Sequence, residues 1–418
     1  MPTDAIPNTP PLYLHVVYQT LGLLVFALVI VPVLILRAVL HTFPCLRPYP
    51  TWSLRKDLAV AGGRLFLACT SYFSLPRPHG KGAWMSDSKV HKAAGRGTRV
   101  KIVAAPPISD EWITGPAAVA KDTVRPVQVP CFWTFVPSKT LSEGDEHAQE
   151  GERVIMYIAG GSWVMGHPQS TMFPYKFAKE AGRRVLAVNH RKALSPDTAF
   201  PAQLLDLTAA YAYLLSLGFA PESITLIGDS SGGHLCLALS RYLAELDAAR
   251  PHLHVGMVGA MLLISVSINF IVVRVDYTDV QHSQPSCDLG HAPHPRSSTD
   301  FLVPYLNARA YPSLMRHFPP DARHTSPYFS PAVAGTFSYL AATQKSRALT
   351  VWIQYGSVEN LRADIDALIR RMQTDGVVVD VDLVAGGVHL DAGMAFALRE
   401  RGTASSWTRL VDAVKRYA

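Results

Sequence analysis

Ser230, Glu359 and His389 are the residues whose types and order along the chain could perform nucleophilic chemistry. Ser230 stands in the run GDSSGG at 228–233, which follows an apolar stretch and precedes a helical one. A serine in a G-x-S-x-G turn between a strand and a helix projects its hydroxyl above the sheet, near the amides at the helix start. The pattern predicts a nucleophile at Ser230, and a glycine-rich turn without catalysis is the alternative.

The residues that would activate this serine follow two later apolar stretches. Glu359 comes after the stretch LTVWIQYG, and His389 comes after VVVDVDLV. In the chain order serine, acid, histidine, the imidazole takes the hydroxyl proton and later gives it to the leaving group, while the carboxylate fixes the imidazole's tautomer. Three other carboxylates compete for the acid role but lie inside a predicted helix or strand: Asp364, Asp366 and Asp380.

A second glycine-rich stretch, YIAGGSW at 157–163, follows a predicted strand. Small residues at such a place let backbone amides approach a carbonyl oxygen that is under attack. The stretch therefore predicts an oxyanion loop at Gly160–Ser162. Two glycines after a strand also occur in ordinary turns, so this pattern is weaker than the one around Ser230.

These residues need a scaffold of alternating strands and helices. The hydrophobic pattern predicts strands at 154–158, 184–188, 224–228, 259–265, 349–355 and 377–384. It predicts helices at 173–181, 204–217, 232–248 and 363–374. Strands that alternate with helices in this way indicate an α/β fold, with a mostly parallel sheet and helices on both faces.

The N-terminal part carries a long apolar stretch. No charged side chain lies between Asp4 and Arg37, and residues 21–36 read LGLLVFALVIVPVLIL. A helix over 12–40 is long enough to cross a bilayer, so we expect a transmembrane anchor rather than a cleaved signal peptide. A monotopic hairpin or a helix lying in the interface is the alternative. The positive charges that follow it favour a cytosolic catalytic domain.

Two further segments are expected to cover the site. Residues 41–97 form a linker and an N-terminal lid segment, in which 58–73 is an amphipathic helix candidate. Residues 98–418 form the catalytic domain, and a His-, Pro- and Ser-rich insertion at about 269–325 interrupts its alternation of strands and helices. The insertion is the second lid candidate.

Composition narrows the classes of partner. The chain has 418 residues, of which 49% are hydrophobic and 17% charged, and its net charge is +7. The charges are scattered rather than arranged in a basic stripe, which argues against a nucleic-acid partner. The five cysteines form no C-x-x-C pair, so we expect neither a zinc site nor a disulfide framework. We expect no cofactor.

Five blocks in order resemble the hormone-sensitive-lipase-like branch of the α/β-hydrolases, which includes arylacetamide deacetylase and fungal steryl acetyl hydrolase. The resemblance covers roughly residues 150 to 400. The blocks are YIAGGSWVMG at 157–166, VNHRKALSP at 188–196 with FPA and Asp206 beyond it, GDSSGGH at 228–234, SPYFSP at 326–331 and GSVENL at 356–361.

The resemblance implies roles for particular backbone groups. The oxyanion donors would be the amides of Gly161, Ser162 and Ser231. The acid would be Glu359, where most relatives have aspartate. Two departures fall in the oxyanion loop: Ala159 replaces a histidine that normally braces the loop, and Ser162 replaces a third glycine.

The function that follows is a membrane-anchored serine hydrolase without a cofactor. It would cleave a carboxylic ester of a lipophilic alcohol, with a short acyl group such as acetyl, through an acyl-enzyme on Ser230. An acyltransferase, an amidase and a non-catalytic protein that binds a small ligand are the alternatives. The resemblance implies an endoplasmic reticulum membrane with the domain on the lumenal side, whereas the charge bias favours the cytosol, so the side that the domain faces stays open.

Overall fold

The computed structural model describes residues 20–22, 24, 26–73, 97–137, 146–267, 300, 310–400, 402 and 404–418. Of the segments expected from the sequence, residues 12–19 of the anchor, 74–96 of the lid segment and most of 269–309 lie outside the described residues. Asp300 and the stretch from 310 onward are the described parts of the insertion.

An eight-stranded sheet forms the centre of the chain, with the strand order β1-β2-β4-β3-β5-β6-β7-β8. The strands are β1 Arg99–Ala105, β2 Val129–Phe135, β3 Val154–Ile158, β4 Arg184–Val188, β5 Ile224–Asp229, β6 Ala260–Ile264, β7 Thr350–Gly356 and β8 Asp380–Val384. β2 runs antiparallel to both β1 and β4, and all other neighbours are parallel. The predicted mostly parallel sheet is therefore confirmed.

Helices lie on both faces of this sheet, as the sequence predicts. The α-helices are α1 Val31–His41, α2 Leu54–Phe73, α3 Phe173–Ala181, α4 Ala202–Ser216, α5 Ser231–Ala249, α6 Ala322–Thr325, α7 Pro331–Ala334, α8 Ser338–Ser346, α9 Arg362–Thr374, α10 Asp391–Ala397 and α11 Ser406–Tyr417. The buried faces of α4, α5 and α9 join one hydrophobic cluster, and those of α3, α10 and α11 join a second.

The side-chain alternation of β3 shows why two cores form. Val154, Met156 and Ile158 belong to the first cluster, whereas Ile155 and Tyr157 belong to the second. Successive side chains of a strand point to opposite faces, so a strand that is apolar throughout must be covered on both sides. The central position of β3 next to β5 places the oxyanion loop beside the serine turn.

Several predicted boundaries need correction. The helix predicted at 58–73 begins at Leu54, and the strand predicted at 377–384 begins only at Asp380. Residues 377–379 belong instead to the turn after α9, where the Val377 amide bonds the carbonyl of Met372. The sequence did not predict where the antiparallel strands β1 and β2 begin and end.

An apolar helix over Thr20–His41 is long and apolar enough to cross a membrane, and little of it is buried within the described chain; a signal sequence would pass the same test. A π-helical turn over Phe26–Ile30 precedes α1, which has Pro32 in its first turn. Pro32 lies inside this continuous helix and cannot donate to the preceding turn, a defect that membrane helices accommodate by local π-helical adjustment.

The carboxylate of Asp57 in α2 fastens α1 to α2. It accepts hydrogen bonds from Nε of Arg37 at 2.8 Å and lies 2.8 Å from Nδ1 of His41. Asp57 itself is fully buried. The end of the apolar helix is thereby fixed to the helix that follows it.

Candidate active site

Ser230 lies on a sharp turn between β5 and α5. Its backbone has φ 51° and ψ −121°, a conformation that non-glycine residues rarely adopt. The neighbouring glycines are required by space: a Cβ at Gly228 would lie 2.4 Å from the carbonyl oxygen of Gly232, and one at Gly232 would lie 2.1 Å from that of Ile158. The turn therefore presents the serine hydroxyl at the start of α5.

The structure brings Ser230, His389 and Glu359 together, although the sequence separates them widely. Oγ of Ser230 lies 3.0 Å from Nε2 of His389. Nδ1 of His389 lies 3.9 Å from Oε1 of Glu359, which is longer than a hydrogen bond. All three side chains are almost completely buried, at 9%, 3% and 0% exposure for Ser230, His389 and Glu359.

The other carboxylate oxygen of Glu359 is held by two donors. Oε2 accepts the amide of Gly356 at 2.9 Å and the hydroxyl of Ser265 at 2.7 Å. The same hydroxyl oxygen of Ser265 accepts the amide of Leu390 at 2.9 Å. Ser265 thus joins the loop of the acid to the loop of the base, and the sequence offered no signal for it.

A second carboxylate, that of Asp300, bridges the same two loops. Oδ1 accepts the amide of His389 at 3.1 Å, and Oδ2 accepts the amide of Asn360 at 2.8 Å. Asp300 is fully buried. It comes from the predicted insertion, whose composition gave no reason to single it out.

The charges around the imidazole determine its proton affinity. Burial lowers the pKa of His389, but the carboxylates of Glu359, Asp300 and Asp229 more than offset this and raise the pKa above its ordinary value of 6.5. Burial disfavours a charged imidazole, and nearby negative charge favours it. The site can therefore stabilise the imidazolium that forms when His389 accepts a proton.

The glycine-rich loop after β3 lies directly against the serine turn. A Cβ at Gly160 would lie 2.5 Å from the carbonyl oxygen of Asp229 and 3.0 Å from Cβ of Ser230, so only glycine fits. Gly161 has φ 130°, and Ser162 has φ 51°. The amide of Gly160 hydrogen-bonds the carboxylate of Asp229. The amides of Gly161, Ser162 and Ser231 remain the oxyanion donors that the family resemblance implies.

The loop is braced although Ala159 replaces the usual histidine. The Tyr157 hydroxyl donates to Oδ1 of Asp229 at 2.5 Å, and Asp229 in turn holds the Gly160 amide. Nε2 of His190 lies 3.4 Å from the carbonyl oxygen of Ala159. Burial and the nearby charge of Lys192 lower the pKa of His190 to about 3, so its imidazole is neutral.

The block after β4 is fixed by a buried ion pair. The Arg191 amide donates to Oδ2 of Asp206 at 2.7 Å, and its guanidinium lies 2.8 Å from Oδ1. Asp206 is 1% exposed.

Within the described residues, no group of three or more His, Cys, Asp or Glu side chains is placed to hold a metal ion.

Comparison with known proteins matches this arrangement to one family. The family described as alpha/beta hydrolase fold matches residues 155–391, which is more than half of the chain. The chain belongs to the α/β-hydrolase fold family. The match spans the serine turn, the acid, the histidine and the glycine-rich loop of this α/β-hydrolase.

Curated relatives of this α/β-hydrolase fall in the predicted branch. An acetyl-hydrolase from Streptomyces hygroscopicus is 36% identical over 105 residues, covering 25% of this chain and 34% of the relative. An arylacetamide deacetylase from Oryctolagus cuniculus is 30% identical over 147 residues, covering 34% and 33%. A hormone-sensitive lipase from Bos taurus is 32% identical over 112 residues, covering 25% and 14%. The matches span about a third or less of each of these relatives.

Solved structures share the fold over most of the chain. An esterase from the bacterial hormone-sensitive lipase family aligns with a TM-score of 0.54 at 20% identity, covering 93% of this chain and 97% of that one. A carboxyl esterase from Tuber melanosporum aligns with a TM-score of 0.53 at 21% identity, covering 77% and 89%. At such low identity these matches establish the fold.

Proposed function

We propose that this protein is a membrane-anchored serine esterase that uses Ser230 as nucleophile, His389 as base and Glu359 as acid. The observation that carries the proposal is the 3.0 Å contact between Oγ of Ser230 and Nε2 of His389 on a strained strand-to-helix turn. A nucleophile needs a base within hydrogen-bond reach, and the base needs a group that orients it.

The reaction proceeds in two halves. His389 accepts the hydroxyl proton as Ser230 attacks the ester carbonyl carbon, and the carbonyl oxygen becomes an oxyanion facing the amides of Gly161, Ser162 and Ser231. The tetrahedral intermediate collapses, and His389 gives the proton to the departing alcohol. Water then attacks the acyl-enzyme with His389 again as base, releasing the carboxylic acid and restoring the serine.

The substrate we propose is an ester of a lipophilic alcohol with a short acyl group, such as acetyl. Three relatives are named for the removal of acetyl groups: an acetyl-hydrolase, an arylacetamide deacetylase and an ethyl acetate hydrolase from Pseudomonas putida. A membrane-anchored enzyme meets lipophilic alcohols where they partition. Enzymes of this fold need no cofactor for ester hydrolysis, because the serine, histidine and oxyanion donors supply the chemistry.

We further propose that residues 12–40 anchor the protein in the endoplasmic reticulum membrane and that 98–418 form the catalytic domain. The apolar helix Thr20–His41 supports the anchor. The basic residues that follow it favour a cytosolic domain. Protease treatment of sealed microsomes tests this orientation: digestion of the catalytic domain agrees with it, and full protection contradicts it.

Ester hydrolysis tests the proposed activity. The purified full-length protein in detergent is assayed with p-nitrophenyl esters from acetyl to long acyl chains, beside Ser230→Ala and the exposed control Ser346→Ala. We expect the highest kcat/KM for acetyl, a loss of roughly 10⁵–10⁶-fold in kcat for Ser230→Ala and no change for the control. A folded wild-type protein that hydrolyses none of these esters contradicts the proposal.

A further inference from the structure

Side chains from a short N-terminal segment, residues 52–64, reach the loop that carries His389. Nε1 of Trp52 donates to the carbonyl of Gly386 at 2.7 Å. Nζ of Lys56 donates to Oδ1 of Asp391 at 2.6 Å. These contacts join residues 334 and 335 positions apart in the sequence. Residues 52–64 therefore bind the base loop, residues 385–392, on both sides of His389.

The ion pair between Lys56 and Asp391 is buried. Their side chains are 9% and 4% exposed. The Asp391 carboxylate also accepts the amide of Val388 at 3.1 Å and the hydroxyl of Ser406 at 2.7 Å. A buried charge that loses its partner is strongly destabilised, so removing the ammonium would disturb the carboxylate that holds the residue before His389.

Hydrophobic packing reinforces the same contact. Trp52, Val60 and Val388 form a small buried cluster separate from the two large cores, and Val358 packs against it. Val358 precedes the acid Glu359, and Val388 precedes the base. The cluster thus touches the chain next to both residues.

A third contact from the segment reaches the base through Asp300. A guanidinium nitrogen of Arg64 donates to the Asp300 carbonyl oxygen at 2.9 Å, while the Asp300 carboxylate holds the amides of His389 and Asn360. The segment is also tied to the apolar helix, because Asp57 binds Arg37 and His41. A continuous set of contacts therefore runs from α1 to the imidazole.

We propose that residues 52–64 position the catalytic base, with Lys56 as the principal positioning residue, so that activity depends on the segment next to the apolar helix. This inference rests on the proposed function. A cover over the substrate pocket would act on substrate binding, whereas these contacts act on the loop of His389. Losing them would displace the imidazole from Ser230, and small misplacements of a catalytic group are costly in rate.

The test compares Lys56→Met with Lys56→Arg and with the control Arg55→Met in the full-length protein. Arg55 is the exposed basic neighbour of Lys56 on the same helix. Trp52→Phe is a milder second variant, which keeps an aromatic ring and removes the donor to Gly386. Each is assayed for kcat and KM on p-nitrophenyl acetate, and hydrogen exchange is measured for peptides covering 385–392.

We expect Lys56→Met to lower kcat by roughly 10- to 100-fold with little change in KM, and to speed exchange in the base loop. Lys56→Arg should recover most of kcat, Trp52→Phe should show a smaller effect in the same direction, and Arg55→Met should match wild type.

Exchange in the base loop that is the same in Lys56→Met and wild type would overturn the inference, whether or not the protein hydrolyses esters. A raised KM at unchanged kcat, or an equal loss in Arg55→Met, would overturn it as well. A wild-type protein that hydrolyses no ester would contradict the proposed function. The exchange measurement would then decide whether residues 52–64 hold the loop of His389.

Discussion

Nδ1 of His389 and Oε1 of Glu359 face each other across 3.9 Å in a site where both side chains are almost completely buried. This separation is longer than a hydrogen bond, whereas the imidazole is within hydrogen-bond distance of Ser230. Even at this distance Glu359 raises the pKa of His389, and catalytic contacts that are long in a free enzyme often tighten when substrate binds.

Removing that charge should slow the reaction without unfolding the protein. For Glu359→Gln we expect kcat to fall by roughly 10²–10⁴-fold, because the neutral amide neither stabilises the imidazolium nor selects its tautomer. Glu359→Asp should fall between this variant and wild type, since the shorter arm withdraws the carboxylate from His389. Steady-state kinetics with p-nitrophenyl acetate measure both. A kcat for Glu359→Gln equal to wild type would exclude Glu359 as the acid.

The pH dependence of kcat/KM should reflect the carboxylates around His389. Only a neutral imidazole can accept the serine proton, so activity falls as the pH drops through its pKa. Because Glu359, Asp300 and Asp229 raise the pKa of His389 above 6.5, the midpoint of the acid limb should lie above 6.5. Asp300→Asn removes one of these charges and should move the midpoint downward. A midpoint that does not move in this variant would contradict the electrostatic role of Asp300.

Because the oxyanion loop lies directly against the serine turn, adding a single methyl group at Gly160 should lower activity. Gly160→Ala places a Cβ 2.5 Å from the carbonyl oxygen of Asp229, so the loop must shift and the oxyanion donors with it. We expect kcat to fall by roughly 10²–10³-fold, as when an oxyanion donor is lost. Gly393→Ala is the control, since its Cβ meets nothing closer than 3.8 Å. Equal rates for the two variants would place the hole elsewhere.

The hydrogen bond from Tyr157 to Asp229 should contribute to stability. In Tyr157→Phe the buried carboxylate loses a donor, at a cost of about 1–3 kcal/mol, which corresponds to a fall in Tm of roughly 2–6 °C. The control is Tyr417→Phe, because the bond from Tyr417 to Asp380 is exposed and should matter little. Thermal unfolding followed by tryptophan fluorescence compares them. An unchanged Tm for Tyr157→Phe would show that the hydrogen bond from Tyr157 to Asp229 does not stabilise the loop.

The sequence predicted the parallel part of the sheet well. The elements at 154–158, 173–181 and 184–188 have the predicted bounds. Charged residues and glycine delimit the apolar runs of the two strands, and Gly182 with φ 68° ends the helix. β1 and β2 were harder. β1 pairs with β2 in antiparallel orientation, outside the strand–helix alternation that marks the parallel strands. β2 is also buried along its whole length, so no alternation of polar and apolar residues marks it in the sequence.

The sequence also predicted the three residues that meet at the site, since each follows a strand in the order that this chemistry requires. It did not predict what holds them. Ser265 and Asp300 act through contacts with residues far away in the chain, and Lys56 pairs with Asp391 across 335 positions. Such contacts leave no periodic pattern and become visible only when the loops are placed in space.

Covalent labelling of Ser230 is the most direct test of whether this serine is the activated nucleophile. The folded full-length protein is treated with a fluorophosphonate, which reacts with serines activated by a neighbouring base, and the labelled peptide is identified by mass spectrometry. We expect one labelled site, Ser230, with labelling abolished in Ser230→Ala and strongly slowed in His389→Ala. A folded wild-type protein that stays unlabelled, or that is labelled at another residue, would contradict it.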